Sequence, residues 1–196
     1  MRKIPTLLVR DTDDLRHVTD DVHPDCDWVL AGEGVATRKY DGTCVMFDGE
    51  SWWARRIVKP DKATPDGFLQ VDFDSVTGKT VGWEPMEASG FAKAFQQAVN
   101  AGTPVNFDDT GDGVKQVWLP GTYELVGPKI NGNPEGMDQH MLLRHADAQI
   151  WTGIGHQRGI EHIKADVSML GHAGWEGLVW HHPDGRMAKL KARDLA

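Results

Sequence analysis

Lys39 stands in the run Lys39-Tyr40-Asp41-Gly42, where a lysine amine in a tight polar loop is a candidate nucleophile. A free lysine, with a pKa of about 10.4, is protonated at neutral pH, so such work needs neighbouring cations or burial to favour the neutral amine. The same tetrapeptide also describes an ordinary exposed turn, and its neighbours must decide. Asp48-Gly49 reads as a hairpin turn between a strand from Thr43 to Phe47 and one from Ser51 to Val58. A two-residue turn puts Gly42 opposite Arg55, and a three-residue turn puts Thr43 there. Either way Arg55 is delivered beside the loop carrying Lys39, where a guanidinium attracts phosphate.

A second group lies near the end of the sequence. With Asp184-Gly185 as a two-residue turn, Trp180 faces Lys189, Leu178 faces Lys191 and Glu176 faces Arg193. Glu176, Lys189 and Lys191 then project from one side of the sheet, while Ala188, Leu190, Gly177 and Val179 read as the core side. A carboxylate with two lysines suits a metal–triphosphate site, the carboxylate for Mg²⁺ and the lysines for phosphate oxygens. A solvated face with cross-strand ion pairs fits the same pattern.

The elements that must position these residues are mostly short strands. The 22 Gly and 10 Pro punctuate apolar runs, and a strand runs from Tyr123 to Val126. One helix is expected over 91–101, with Ser89 as cap, Phe91, Phe95 and Ala98 on one face and Gly102 as stop. Another is expected from Gly159 to Leu170, presenting Ile160, Ile163, Val167 and Leu170, with Gly171 after it. The expected class is α+β: an antiparallel sheet with a few helices. No linker, repeat or low-complexity tract interrupts the 196 residues, so a single domain over 1–196 is expected.

Composition narrows the function classes. A net charge of −8 argues against a protein that simply coats nucleic acid, but charge is unevenly spread. Asp11, Asp13, Asp14, Asp20, Asp21, Asp25 and Asp27 crowd the start, whereas Arg186, Lys189, Lys191 and Arg193 mark the last strand. Cys26 and Cys44 form no metal or redox spacing. The histidines, most of them after residue 139, give no zinc spacing, since Glu161-His162 lacks its second His. Asp108, Thr110, Asp112 and Gly113 open like a calcium loop, but the twelfth position is Leu119. With no signal-like or bilayer-length apolar run, a cytoplasmic location and no membrane partner are expected.

Taken in order, Lys39-Tyr40-Asp41-Gly42, Arg55, Tyr123-Glu124-Leu125-Val126-Gly127, Glu176-Gly177-Leu178-Val179 and Lys189-Leu190-Lys191 resemble the motif series of the covalent nucleotidyltransferases. These are the DNA ligases, RNA ligases and mRNA capping enzymes. The fuller context resembles the short stand-alone 5′–3′ RNA ligases. It includes Lys3-Ile4-Pro5-Thr6, Ala36-Thr37-Arg38 ahead of Lys39, Trp53-Ala54-Arg55, Ile130-Asn131-Gly132-Asn133-Pro134 and Trp180-His181.

The resemblance implies a nucleotidyltransferase (adenylation) fold and an ATP-dependent RNA ligase using Mg²⁺ or Mn²⁺. Lys39 would take AMP from ATP, pass it to a 5′-phosphate RNA end, and let a 3′-hydroxyl displace it. Arg55 would contact phosphate, Glu124 the ribose and Glu176 the metal, while Lys189 and Lys191 would bind the α-phosphate and leaving group. The aromatic that stacks on adenine has no clear counterpart, with His145 and Trp151 as candidates. No oligonucleotide-binding domain is expected after Lys191, nor an obligate protein partner. The alternatives are a nucleotidyltransferase using GTP or modifying protein, and a catalytically silent nucleic-acid-binding module. Having both Lys39 and Glu176 argues against silence.

Overall fold

A computed structural model describes residues 2–75, 77–102, 106–108, 115–153 and 159–195. In chain order its strands and helices are β1 Leu8–Arg10, β2 Val18–Val22, α1 Asp27–Leu30, β3 Val35–Lys39, β4 Thr43–Phe47, β5 Trp52–Val58, β6 Leu69–Asp74, β7 Lys79–Pro85, α2 Ala92–Ala101, β8 Asn106–Asp108, β9 Lys115–Val117, β10 Gly121–Val126, β11 Met141–Arg144, α3 Ile160–His172, β12 Gly177–His181 and β13 Met187–Lys191. The fold is α+β, with antiparallel sheets and few helices. The chain divides into two compact units, Met1–Lys3 with Asp41–Asp147, and Ile4–Tyr40 with Ala148–Ala196.

The larger unit holds a six-stranded antiparallel sheet in the order β11-β10-β4-β5-β7-β6, and the β8-β9 hairpin. Val45, Ala54, Tyr123, Leu125 and Leu142 from four strands pack with Phe95 and Ala98 of α2. Trp52 is the hub of an aromatic cluster, meeting Phe47, Phe95, Trp118 and Tyr123 at centroid distances of 5.0–5.4 Å. Such stacked, tilted and edge-on contacts add to the area term. α2 carries the expected apolar face and ends at Gly102, but begins at Ala92, with Ser89 Oγ accepting from Phe91 N–H (3.3 Å) just ahead of it.

The β4–β5 register differs from both turns considered. Phe47 pairs with Trp52 and Val45 with Ala54, so Asp48–Ser51 is a four-residue loop. Asp48 causes this: its Oδ1 accepts from Glu50 N–H (2.9 Å) and Ser51 N–H (2.8 Å), and its Oδ2 from Trp53 Nε1–H (2.7 Å). Arg55 therefore falls opposite neither Gly42 nor Thr43. Across its other edge it pairs with Trp83 of β7, and its guanidinium lies 5.2 Å from that ring centroid.

The second unit is built on the antiparallel sheet β13-β12-β3, with β1 and β2 paired separately. Its core joins Leu178, Trp180, Ala188 and Leu190 to Ile163, Val167 and Leu170 of α3, and to Leu7, Leu8, Cys26, Trp28 and Val29. α3 buries the stripe expected of it, with Ile160 half-buried at its start, and continues through Gly171 to His172. The outer edge of β13 is covered by the segment before β1: Lys189 N–H donates to Pro5 O (3.0 Å) and Leu7 N–H to Lys189 O (2.7 Å).

The β12–β13 register is also one residue off the expected one. Leu178 pairs with Leu190, Val179 with Lys189 and Gly177 with Lys191. The loop Pro183-Asp184-Gly185 has three residues, with Gly185 at φ 91°, the left-handed position such loops need. His182 N–H to Arg186 O (2.9 Å) closes it. Ala188 and Leu190 remain core residues, but their partners there are Leu178 and Trp180 rather than Gly177 and Val179. Of the residues that open like a calcium loop (a reading excluded by Leu119), Thr110, Asp112 and Gly113 lie outside the described residues.

Candidate functional site

Lys39, Gly177 and Lys191 form one row across β3, β12 and β13, and directly paired residues share a sheet face. The middle residue is glycine because a Cβ there would sit 2.1 Å from Leu190 O and 2.7 Å from Lys191 Cα. Thr37, Val179 and Lys189 make the next row on the same face by strand alternation. Ala188 and Leu190, at 0% exposure, point the other way. The sheet thus gathers three lysines on one side by anchoring the alternate positions in the core.

Glu176, one residue ahead of β12, places its carboxylate between these amines. Lys39 Nζ donates to Oε2 at 2.5 Å. Lys191 Nζ lies 2.5 Å from Oε1 as a charge contact without hydrogen-bond geometry, and Arg193 Nη2 is 3.5 Å from the same oxygen. The Glu176 side chain is only 5% exposed, against 20% for Lys39 and 17% for Lys191. Burial pushes the Glu176 carboxyl up, but the charge of Lys39 and the contacts from both lysines outweigh it, leaving it below the ordinary carboxylate value. It is therefore an ionised group held among cations. Lys39 Nζ also donates to Tyr40 O (3.3 Å).

Two neighbours stiffen this arrangement. Arg38 places its guanidinium 5.1 Å from the ring centroids of both Tyr40 and Trp175. Trp151 meets Trp175 edge-on at 6.1 Å. After Lys191 the chain is pinned by Asp194, whose two oxygens accept from Arg10 Nη1 and Nη2 at 2.9 Å each.

Glu124 and Arg55 belong to the other unit. Glu124 lies on β10, buried, with Oε1 accepting from Gly42 N–H (3.0 Å). Its Oε2 accepts from His145 Nε2–H (3.0 Å), and His145 Nδ1 meets Thr122 Oγ1 at 2.9 Å. Gly42 must be glycine here, because a Cβ would sit 2.3 Å from Leu125 O. Asn131 Nδ2 donates to Asp41 Oδ1 (2.9 Å) and Gly42 O (2.7 Å), and Glu135 Oε1 accepts from Asp41 N–H (2.9 Å). Asn131 holds φ 48°, an αL conformation for which its side-chain contacts compensate. Burial draws the Arg55 guanidinium down from its ordinary value, yet it stays a cation.

The structure thus gathers Lys39, Glu176, Lys189 and Lys191 on one sheet face, and places Arg55 and Glu124 in the other unit's sheet. Sequence reasoning missed the Asn131 and Glu135 clamp on Asp41-Gly42, and the His145 bond to Glu124. The cluster of αL residues Lys129, Asn131 and Asn133 is foreshadowed by Asn-Gly-Asn, a turn signal whose target the sequence does not name.

No family model matches the chain. A protein of Rattus norvegicus named RNA ligase 1 is 25% identical over an aligned length of 224 residues, covering 82% of this chain and 67% of that protein. The chain is distantly similar to a ligase.

Proposed function

We propose that this protein is an ATP-dependent RNA ligase that works through a covalent AMP on Lys39, and that 1–196 forms a nucleotidyltransferase domain. The observation that carries this reading is the contact of Lys39 and Lys191 with opposite oxygens of the buried Glu176 carboxylate. The motif order and the similarity to a protein named RNA ligase 1 support it.

The Lys39 ammonium gives one proton to solvent and its free amine attacks the α-phosphorus of ATP; a P–N bond forms, the bond to pyrophosphate breaks, and a second proton leaves to solvent. An oxygen of a 5′-phosphate RNA end then takes the AMP, the P–N bond breaks, and Lys39 regains both protons from solvent. Finally a 3′-hydroxyl attacks the activated 5′-phosphorus and expels AMP, its proton leaving to solvent. Lys189 and Lys191 stabilise charge on the α-phosphate and the leaving group. Because its pKa is depressed, Glu176 is a poor proton acceptor, so its part is to hold Lys39 and charge in place.

Glu176 is also the residue that would hold Mg²⁺ or Mn²⁺. A buried, ionised carboxylate is the hard oxygen donor these ions take, and the surrounding amines match a polyphosphate. Such an ion supplies charge neutralisation on phosphate oxygens. Glu124 would receive the ribose hydroxyls and Arg55 a phosphate.

The reading is tested by sealing of matched all-RNA, all-DNA and single-ribonucleotide nicks with 5′-phosphate ends, at two salt concentrations. RNA is expected to be preferred through its 2′-hydroxyl, with activity falling as salt rises. Equal sealing of DNA overturns the RNA assignment. Normal lysyl-AMP with no sealing of any substrate favours another nucleotidyl transfer.

A further inference from the structure

Cys44 and Glu124 face each other directly across β4 and β10, so their side chains share one face of the six-stranded sheet. His145, in the turn after β11, comes to the same place. One ligand atom from each of the three, Cys44 sulfur, a Glu124 oxygen and a His145 nitrogen, lies within 4.8 Å of the other two. We propose that Cys44, Glu124 and His145 form a site for a thiophilic divalent cation of the zinc class, distinct from the Mg²⁺ role proposed for Glu176.

The donor set decides the ion. Thiolate, imidazole and carboxylate together select zinc-like ions over Mg²⁺ or Ca²⁺, which take oxygen donors. Three protein ligands leave the fourth tetrahedral position for solvent or a small ligand. The surroundings also hold the ligands. Glu124 Oε1 is fixed by Gly42 N–H, and Thr122 Oγ1 lies 2.9 Å from His145 Nδ1. A threonine hydroxyl both donates and accepts. It can therefore accept from Nδ1–H when Nε2 turns its lone pair to the metal, the arrangement typical of a metal-bound histidine. On binding, the Cys44 thiol gives up its proton to solvent, and the His145 ring proton sits on Nδ1 so that Nε2 faces the metal.

Glu124 serves both this site and the ribose contact of the proposed ligase. If both hold, cation and ATP exclude one another and the thiol becomes a handle for metal inhibition. The site is tested without nucleotide, so its failure and that of the ligase reading are separable. The full chain is titrated with Co²⁺ alone, reading the thiolate-to-cobalt charge-transfer absorption, then with Zn²⁺ to displace it. Cys26, the other thiol, is fully buried and burial pushes it up to about 11, so it is a poor source of the signal.

The expected result is a saturable thiolate band that Zn²⁺ abolishes and Cys44→Ser eliminates. His145→Gln should weaken binding about 100-fold and Thr122→Val about 10-fold, with circular dichroism establishing that each variant is folded. Absence of a thiolate band in the native chain, or its survival in folded Cys44→Ser, overturns the proposal.

Discussion

Lys39 on β3 and Glu176 just ahead of β12 share a 2.5 Å ion pair in which the carboxylate is almost wholly buried and the amine is not. Gly177 stands between Lys39 and Lys191 in the row, where a Cβ would collide with the backbone of β13, 2.1 Å from Leu190 O. Replacing Glu176 by Gln leaves two lysines facing each other. The expected cost is about 1–3 kcal/mol near neutral pH, less than for a fully buried pair because both amines reach solvent. The folded pKa of Glu176 lies below its unfolded value of about 4.3, so its stabilisation is full above that value and is lost as pH falls through the folded pKa. Urea midpoints of native and Glu176→Gln protein should therefore converge in acid. A constant gap down to about pH 3 contradicts this account of the pair.

The observed β12–β13 register makes a separate prediction. Trp180 and Leu178 face the core, whereas Val179 lies on the lysine side. Trp180→Ala should cost about 3–5 kcal/mol and Val179→Ala about 1 kcal/mol or less. Denaturant unfolding distinguishes this from the opposite facing, in which the order reverses.

Alternation along β13 separates chemistry from folding. Lys191→Ala should fold normally but form lysyl-AMP about 10²–10³-fold more slowly, as for loss of a preorganised charge at a transferring phosphoryl group. Leu190→Lys puts a charge at a fully buried position and should fail to fold. Wild-type labelling by Lys191→Ala rejects the role given to that residue.

Gly42→Ala tests the loop clamp. Its Cβ would press on backbone oxygen of Leu125, which cannot move without disturbing β10. A loss of about 2 kcal/mol or more is expected. Thermal unfolding unchanged from native would show that the backbone there is not closely packed.

Much of this was legible in the sequence because strand alternation and helical periodicity survive errors of register. Ala188 and Leu190 read as core, and α3 as a helix buried through Ile163, Val167 and Leu170, on pattern alone. Hairpin registers were misread because an Asp-Gly pair fixes a turn's place but not its length. Asp48 satisfies two backbone donors and so lengthens its loop to four residues. The grouping of Cys44 with Glu124 and His145 was invisible, since β4 and β10 are distant in sequence and their pairing leaves no local trace. The clamp of Asn131 on Asp41 and Gly42 is hidden for the same reason.

The role proposed for Lys39, to carry the nucleotide, is read by incubating the purified chain with Mg²⁺ and ATP radiolabelled at the α-phosphorus, beside the same experiment with GTP. Label is expected from ATP alone, held by an acid-labile, base-stable P–N bond to Lys39, and none in folded Lys39→Ala or Lys39→Arg. Covalent adenylation that persists in folded Lys39→Ala would rule that role out.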